Sequence, residues 1–192
     1  MGYDEKLDKI LKSAAEVFAH KGFDRASIRD VARASGMSLA GLYYYFKSKD
    51  ELLFLIQKRW LSYLLGLLEE RLKGVESPEE RLIILIDAHI DFAVKNMREM
   101  KVLSHEMETL SGSLREEIFD LRRRYYRLCS GIIEEMARRG KMRELNLKTT
   151  VMSLFGMMNW IYNWYDSSLH GDAKDVADCM RTIFLRGIVR GR

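Results

Sequence analysis

The sequence predicts an all-α fold, and three observations lead there. Proline occurs once in 192 residues, at Pro78, and the 13 glycines are spread along the chain, so the punctuation of strand-rich folds is missing. Apolar residues recur at the three- and four-residue spacing of helices. Serine and proline followed by acidic residues stand where helices would begin. With 47% apolar and 31% charged residues, the chain reads as an ordinary folded globule rather than a disordered one.

Leu7, Ile10, Leu11, Ala14, Ala15 and Phe18 form an apolar stripe on a first helix, which Lys21-Gly22 ends. Ser27-Ile28-Arg29-Asp30 has the serine and acid of a reciprocal cap, opening a second helix with Ile28, Val31 and Ala32 inward. Ser35-Gly36-Met37 ends it, since glycine adopts the left-handed backbone of a sharp turn. A third helix is expected from Ser38 to Tyr45, with Leu42 and Phe46 inward and Leu39, Ala40, Gly41, Tyr43, Tyr44 and Tyr45 outward. Ser48-Lys49-Asp50-Glu51 caps a fourth helix running to about Lys73.

Ser77-Pro78-Glu79-Glu80 starts a helix to about Lys95. Further helices are expected over 97–110, 114–139, 147–166 and 173–190, about nine in all, with glycines 112, 140 and 171 at the breaks. Residues 82–86 and 151–165 are apolar on nearly every side, so both must be covered by other surfaces. The run 151–165 carries Asn159 and Asn163 and is shorter than the roughly 20 residues a membrane span needs. With only Cys129 and Cys179 and no secretory leader pattern, a cytoplasmic protein without disulfides is expected.

The net charge is +4, and most of it lies early: residues 1–60 hold 11 basic against 8 acidic side chains, the remainder 21 against 20. A basic excess favours a polyanion, though one this small does not decide the matter. Two short helices joined at a glycine and braced by a third describe a helix-turn-helix whose second helix enters the DNA major groove. The same pattern describes a plain helical bundle.

The residues themselves are more specific. Phe18-Ala19-His20-Lys21-Gly22-Phe23, Ala26-Ser27-Ile28-Arg29-Asp30-Val31-Ala32, Ser35-Gly36-Met37-Ser38 and Leu42-Tyr43-Tyr44-Tyr45-Phe46-Lys47-Ser48-Lys49-Asp50-Glu51-Leu52 closely resemble the N-terminal domain of TetR-like (tetracycline-repressor) regulators. The resemblance implies a helix-turn-helix DNA-binding domain over 1–47 and a helical ligand-binding and dimerisation domain over 48–192. It implies phosphate contacts for Ser27, Tyr44, Tyr45 and Lys49, whose hydroxyls and ammonium suit that task. It implies base contacts for Arg29, Ser38, Leu39, Ala40, Gly41 and Tyr43. Arg29 suits a guanine edge and Leu39 and Ala40 a thymine methyl. The family commonly has histidine at the Tyr45 position, and the alternative for the three tyrosines is packing beneath the fourth helix, Tyr45 first among them.

The resemblance further implies a twofold dimer through the last two helices, for which Trp164, Tyr165, Met180, Ile183, Phe184 and Ile188 are candidates. A twofold dimer predicts a palindromic operator on double-stranded DNA. His89, Phe92, Tyr126, Phe155, Asn159, Tyr162 and Asn163 are the candidates for an effector site, being polar or aromatic groups on apolar helices. Residues 159–165, 175–178 and 183–188 resemble, more faintly, the branch that answers to acyl-coenzyme A, but Asn163 stands where that branch often has arginine. The expected protein is a ligand-responsive regulator, a repressor released by a hydrophobic small molecule such as a fatty acyl-CoA. The alternatives are an aromatic or multidrug-type effector, or none. No cofactor or metal is expected: the four histidines form no zinc spacing, and no phosphate-binding loop or nucleophile motif occurs, so no enzyme is expected either.

Overall fold

The computed structural model describes residues 2–106 and 108–189. These form ten α-helices, one 3₁₀ turn and no strand: α1 (Tyr3–Lys21), α2 (Ile28–Ser35), α3 (Leu39–Tyr43), α4 (Lys49–Arg71), α5 (Pro78–Lys95), α6 (Met97–His105), α7 (Gly112–Arg138), α8 (Leu147–Asn159), the 3₁₀ turn Ile161–Asn163, α9 (Ser167–His170) and α10 (Ala173–Ile188). The all-α expectation holds. Among the described residues no helix is long and apolar enough to cross a membrane. The chain gathers into two compact units, one of residues up to Ser62 with Met97–Leu121, the other of Tyr63–Asn96 with residues from Arg122 on.

In the first unit α1 packs on α2 and α6, and α2 on α3. The stripe on α1 is buried from Ile10 through Phe18, while Leu7 near its start is half-buried. Gly22 (φ 77°) and Gly36 (φ 69°, ψ 26°) take the left-handed backbone at the two turns, so an L side chain there would strain the chain. The cap at α2 is reciprocal: the Asp30 backbone N–H donates to Ser27 Oγ (3.2 Å) and the Ser27 N–H to Asp30 Oδ2 (3.0 Å). Leu42 and Phe46 are buried as expected and fasten α3 to this core. Truncating Leu42 to alanine would cost about 2–5 kcal/mol.

α3 is shorter than expected. It ends at Tyr43, and the Tyr45 N–H donates to Leu42 O (2.9 Å) in a tighter turn. Phe46 must point inward while residues 46–48 swing the chain into α4, which leaves no room for further α-helical turns.

In the second unit Ser77 Oγ accepts from the Glu80 N–H (3.3 Å) at the start of α5, with Pro78 in the first turn. α5 is the central rod, with α10 laid along it and α8 and the 3₁₀ turn beside it. This explains why residues 82–86 are apolar all round. The expected helix over 147–166 breaks at Asn159, where bulky residues 160–165 follow. Ile161 is buried there and the Tyr165 hydroxyl donates to Gly171 O (3.0 Å), holding the corner. α6 stops at His105 and α10 at Ile188. The expected helix end at Arg190 lies outside the described residues.

Candidate nucleic-acid interface and effector site

The pair α2–α3 presents a polar and aromatic face. Ser38 caps α3 by accepting from the Gly41 N–H (3.0 Å), which aims the first turn of α3 outward. Arg29, Ser38, Leu39, Ala40, Tyr43 and Tyr44 are exposed, Tyr44 at 74%, and Gly41 is half-buried. A β-carbon at Gly41 would meet Ser38 Oγ at 3.1 Å, so the small residue keeps the cap intact. Arg29 makes no hydrogen bond or ion pair among the described residues. Arg33, one turn on, is paired with Asp30. The Lys21 ammonium at 2.7 Å, with the Ser27 hydroxyl, holds the Asp30 carboxyl far below the usual carboxylate range. Asp30, Lys21 and Arg33 thus satisfy one another, while Arg29 has no partner among the described residues.

Two concavities flank Met37. One, of about 530 Å³, is lined by Lys6, Lys9, Met37, Gly41, Tyr44 and Tyr45. The other, of about 590 Å³, is lined by Arg29, Ala32, Arg33, Gly36, Met37 and Leu39. Sequence reasoning missed the first, because it depends on α1 starting beside the end of α3. Tyr3 lies 4.9 Å from the Tyr45 ring and 6.1 Å from Tyr44, and Tyr44 and Tyr45 meet edge to face at 5.2 Å. Tyr45 is half-buried, with its ring against Tyr3 of α1.

Lys49 differs most from its expected place. Its ammonium donates to the carbonyl oxygens of Phe23 (2.9 Å), Ala26 (3.2 Å) and Asp24 (3.3 Å) and lies 4.3 Å from the centre of the Phe23 ring. Its donors are directed at the α1–α2 turn. Ser27, at the end of that turn, keeps its exposed position.

In the second unit, three effector candidates, His89, Phe155 and Tyr126, fall into one chain of rings joined by Tyr125. The His89 and Tyr125 rings stack at 5.9 Å, Tyr125 lies 5.6 Å from Phe155, and Phe155 lies 6.1 Å from Tyr126. Phe92, one turn from His89 on α5, stacks on Tyr63 at 6.0 Å. His89 Nδ1 is 2.6 Å from the Tyr125 hydroxyl. Burial lowers the His89 pKa to about 4, so the ring is neutral. Burial likewise raises the Tyr125 phenol, and pushes the Cys129 thiol up to about 12. Tyr125 and Cys129 were missed, although their spacing from Arg122 places all three on one face of α7. Asn159 is half-buried and Asn163 exposed, and no hydrogen bond among the described residues brings either to the ring cluster. Tyr162 lies 5.9 Å from Trp160, which is exposed. Glu106 accepts from the Phe23 N–H (3.3 Å) and the Thr109 hydroxyl (2.7 Å), tying elements together in the first unit.

Large exposed apolar groups stand on α8 (Met152), just after it (Trp160) and on α10 (Ile183, at 60%). Between them runs a groove of about 370 Å³ that includes Leu145, Ser153, Met157, Ile183 and Gly187. Met180, Phe184 and Ile188 are buried in the chain's own core along with Val176 and Ala177, the stripe α10 lays along α5. Trp164 is exposed, and Tyr165 is half-buried at the corner.

An outward-facing recognition helix on a glycine-turned pair, with a separate helical unit bearing a buried aromatic cluster, defines a helix-turn-helix regulator with a sensory body. Residues 10–56 match the family described as bacterial regulatory proteins, tetR family, and residues 75–188 match the tetracyclin repressor-like C-terminal domain. The chain belongs to the TetR family and is a DNA-binding transcriptional regulator. Among similar proteins is the fatty acid metabolism regulator protein of Bacillus subtilis, 24% identical over 82% of this chain and 84% of its own. The solved structure of AibR in complex with isovaleryl coenzyme A and operator DNA is 25% identical, covers 93% of this chain and 97% of its own, and superposes with a TM-score of 0.84. The regulator PfmR from Thermus thermophilus is 30% identical over 94% of this chain and 99% of its own, with a TM-score of 0.83.

Proposed function

We propose that this protein is a cytoplasmic, non-catalytic repressor that leaves a palindromic operator when a fatty acyl thioester of coenzyme A occupies its body. Residues 1–47 bind DNA, and residues 48–192 bind effector and form the twofold dimer. The observation that carries the DNA reading is the exposed first turn of α3, fastened from behind by buried Leu42 and Phe46, beside an Arg29 that has no partner among the described residues. Arg29, Ser38, Leu39, Ala40, Gly41 and Tyr43 face the bases, while Ser27, Tyr44 and Tyr45 hold phosphates. Lys6 and Lys9 join that second group because they line the same cleft as Tyr44 and Tyr45. Lys49 acts indirectly, by shaping the turn that presents Ser27.

The effector reading is supported by buried His89 and the half-buried Tyr126 and Phe155 joined to it through Tyr125, with Phe92 one turn along α5, and by likeness to proteins whose names record fatty acid metabolism and isovaleryl coenzyme A. The dimer reading is supported by the uncovered apolar groove of α8 and α10, centred on Ile183 and Gly187. Selecting bound sequences from random duplex DNA tests the first part, and a palindrome is the expected product. Releasing the selected duplex with acyl-coenzyme A thioesters, free fatty acids and aromatic drugs tests the second. The aromatic content of the cluster, with Tyr63 and Tyr125 added, favours one competing reading, a planar aromatic effector. Release by drugs and not by thioesters would select it.

A further inference from the structure

His89 has 2% of its surface exposed, and its two ring nitrogens have different surroundings. Nδ1 meets the Tyr125 hydroxyl at 2.6 Å, whereas Nε2 is buried with no hydrogen-bond partner among the described residues. Buried polar groups are nearly always satisfied, so an orphan beside an aromatic cluster calls for a partner the chain does not supply.

The hydrogen positions follow from acid and base strengths. Burial keeps the imidazole neutral and keeps the proton on the Cys129 thiol, one turn from Tyr125 along α7. A phenol is a stronger acid than a neutral imidazole N–H, and an imidazole nitrogen is a better acceptor than a thiol sulfur. Acid and base strengths thus favour the arrangement in which the Tyr125 O–H donates to His89 Nδ1 across the 2.6 Å contact. The remaining imidazole hydrogen sits on Nε2, a fixed donor without an acceptor.

We propose that His89 Nε2–H is the polar reading point of the effector site and that it takes the uncharged carbonyl oxygen of an acyl thioester. This rests on the reading of the effector as a thioester. The His89 ring stacks on Tyr125, and Tyr125 lies 5.6 Å from Phe155, so the apolar surface suited to an acyl chain belongs to the same cluster as this donor. A carboxylate would bring a full charge into the same surroundings, where desolvation opposes it, while a thioester carbonyl brings none. Tyr125 is a positioning residue that sets which nitrogen carries the hydrogen.

The test compares two probes on the full-length protein by titration calorimetry: dodecanoyl-coenzyme A, and S-dodecyl-coenzyme A, which lacks the carbonyl oxygen. Wild-type protein should prefer the thioester by about tenfold, the worth of one buried hydrogen bond. His89→Asn, which keeps a polar group toward Tyr125 and deletes the Nε2 edge, should bind both probes equally. Tyr125→Phe should lose part of the preference, whereas a mere packing defect would weaken both probes by one factor and leave the ratio intact. Equal affinity of wild-type protein for the two probes, with operator release by both, overturns the inference and leaves the thioester reading standing. Binding of neither probe overturns both. Nitrogen-15 spectra of the imidazole decide independently should a variant fail to fold: hydrogen on Nε2 supports the assignment, and hydrogen on Nδ1 overturns it.

Discussion

Acid should unfold this protein through His89 before it touches the caps of the DNA-binding head. In the unfolded chain the imidazole takes up its proton as pH falls through about 6.5, but in the folded chain burial delays that to about 4. Between those values the unfolded state holds more protons, so stability falls as pH falls. The whole gap corresponds to about 3 kcal/mol, and roughly 2 kcal/mol of it is lost on going from pH 7.5 to pH 5. The Asp30 contribution is intact in that window, because a lowered carboxylate loses its stabilisation only as pH falls through its own, far lower value. Asp87 and Glu99 act in the opposite sense, since burial raises both and the folded chain protonates them first. Urea denaturation of wild type and His89→Asn at both pH values, at one protein concentration, isolates the histidine, because the carboxylates are common to both. The wild type should lose about 2 kcal/mol more than the variant between the two pH values. Parallel losses would refute the assignment of a buried neutral imidazole.

Three further substitutions probe the head and the dimer face. Arg29→Ala should relax base preference at one operator position by about 1–3 kcal/mol, read by repeating the sequence selection, while affinity for random DNA changes little. Lys49→Met, which keeps the stem over the Phe23 ring but removes the donors to three carbonyls, should cost about 1–3 kcal/mol of stability in thermal melts. A normal melt combined with a salt dependence shallower by one phosphate would instead put its ammonium on DNA. Ile183→Glu should convert the dimer to a monomer in sedimentation and weaken operator binding steeply, while leaving the helical content of the chain unchanged.

Local rules were enough for the parts of this molecule held by neighbours in sequence. The stripe on α1, the reciprocal cap of Ser27 and Asp30, the left-handed Gly36 and the Ser77-Pro78 start each depend on residues within a few positions, and each is where the sequence predicts. What stayed hidden depends on which surfaces meet. Lys49 reads as an exposed cation at a helix start, and nothing near it in sequence reveals that three carbonyls of the α1–α2 turn lie within its reach. On α10, apolar residues occur on more than one face, so Met180, Phe184 and Ile188 could not be told from Ile183. Only the packing on α5 separates the stripe turned inward from the side left uncovered. The tyrosines posed a related problem: the start of α1 brings Tyr3 to Tyr45, and nothing near either residue in sequence reveals it.

Glu106 shows how a single residue comes to join segments far apart in sequence. Its carboxylate accepts from the Phe23 backbone N–H, and its own carbonyl accepts from the Gln57 side chain at 2.9 Å. The segment after α6, the turn before α2 and the fully buried Gln57 of α4 thus share one polar node inside the first unit. α1 ends at that node in the same turn whose carbonyls Lys49 holds, so the spacing from α6 to the start of α2 is set by hydrogen bonds at both ends rather than by apolar contact alone. Hydrogen bonds tolerate little sliding, because moving a partner by an ångström exposes a buried donor or acceptor. A displacement of α6 therefore either carries the α2 start along with it or breaks the node outright, and an effector can exploit that choice only by binding the two arrangements with different affinity. α4, which carries Gln57, is thereby held in place within the first unit by the same node.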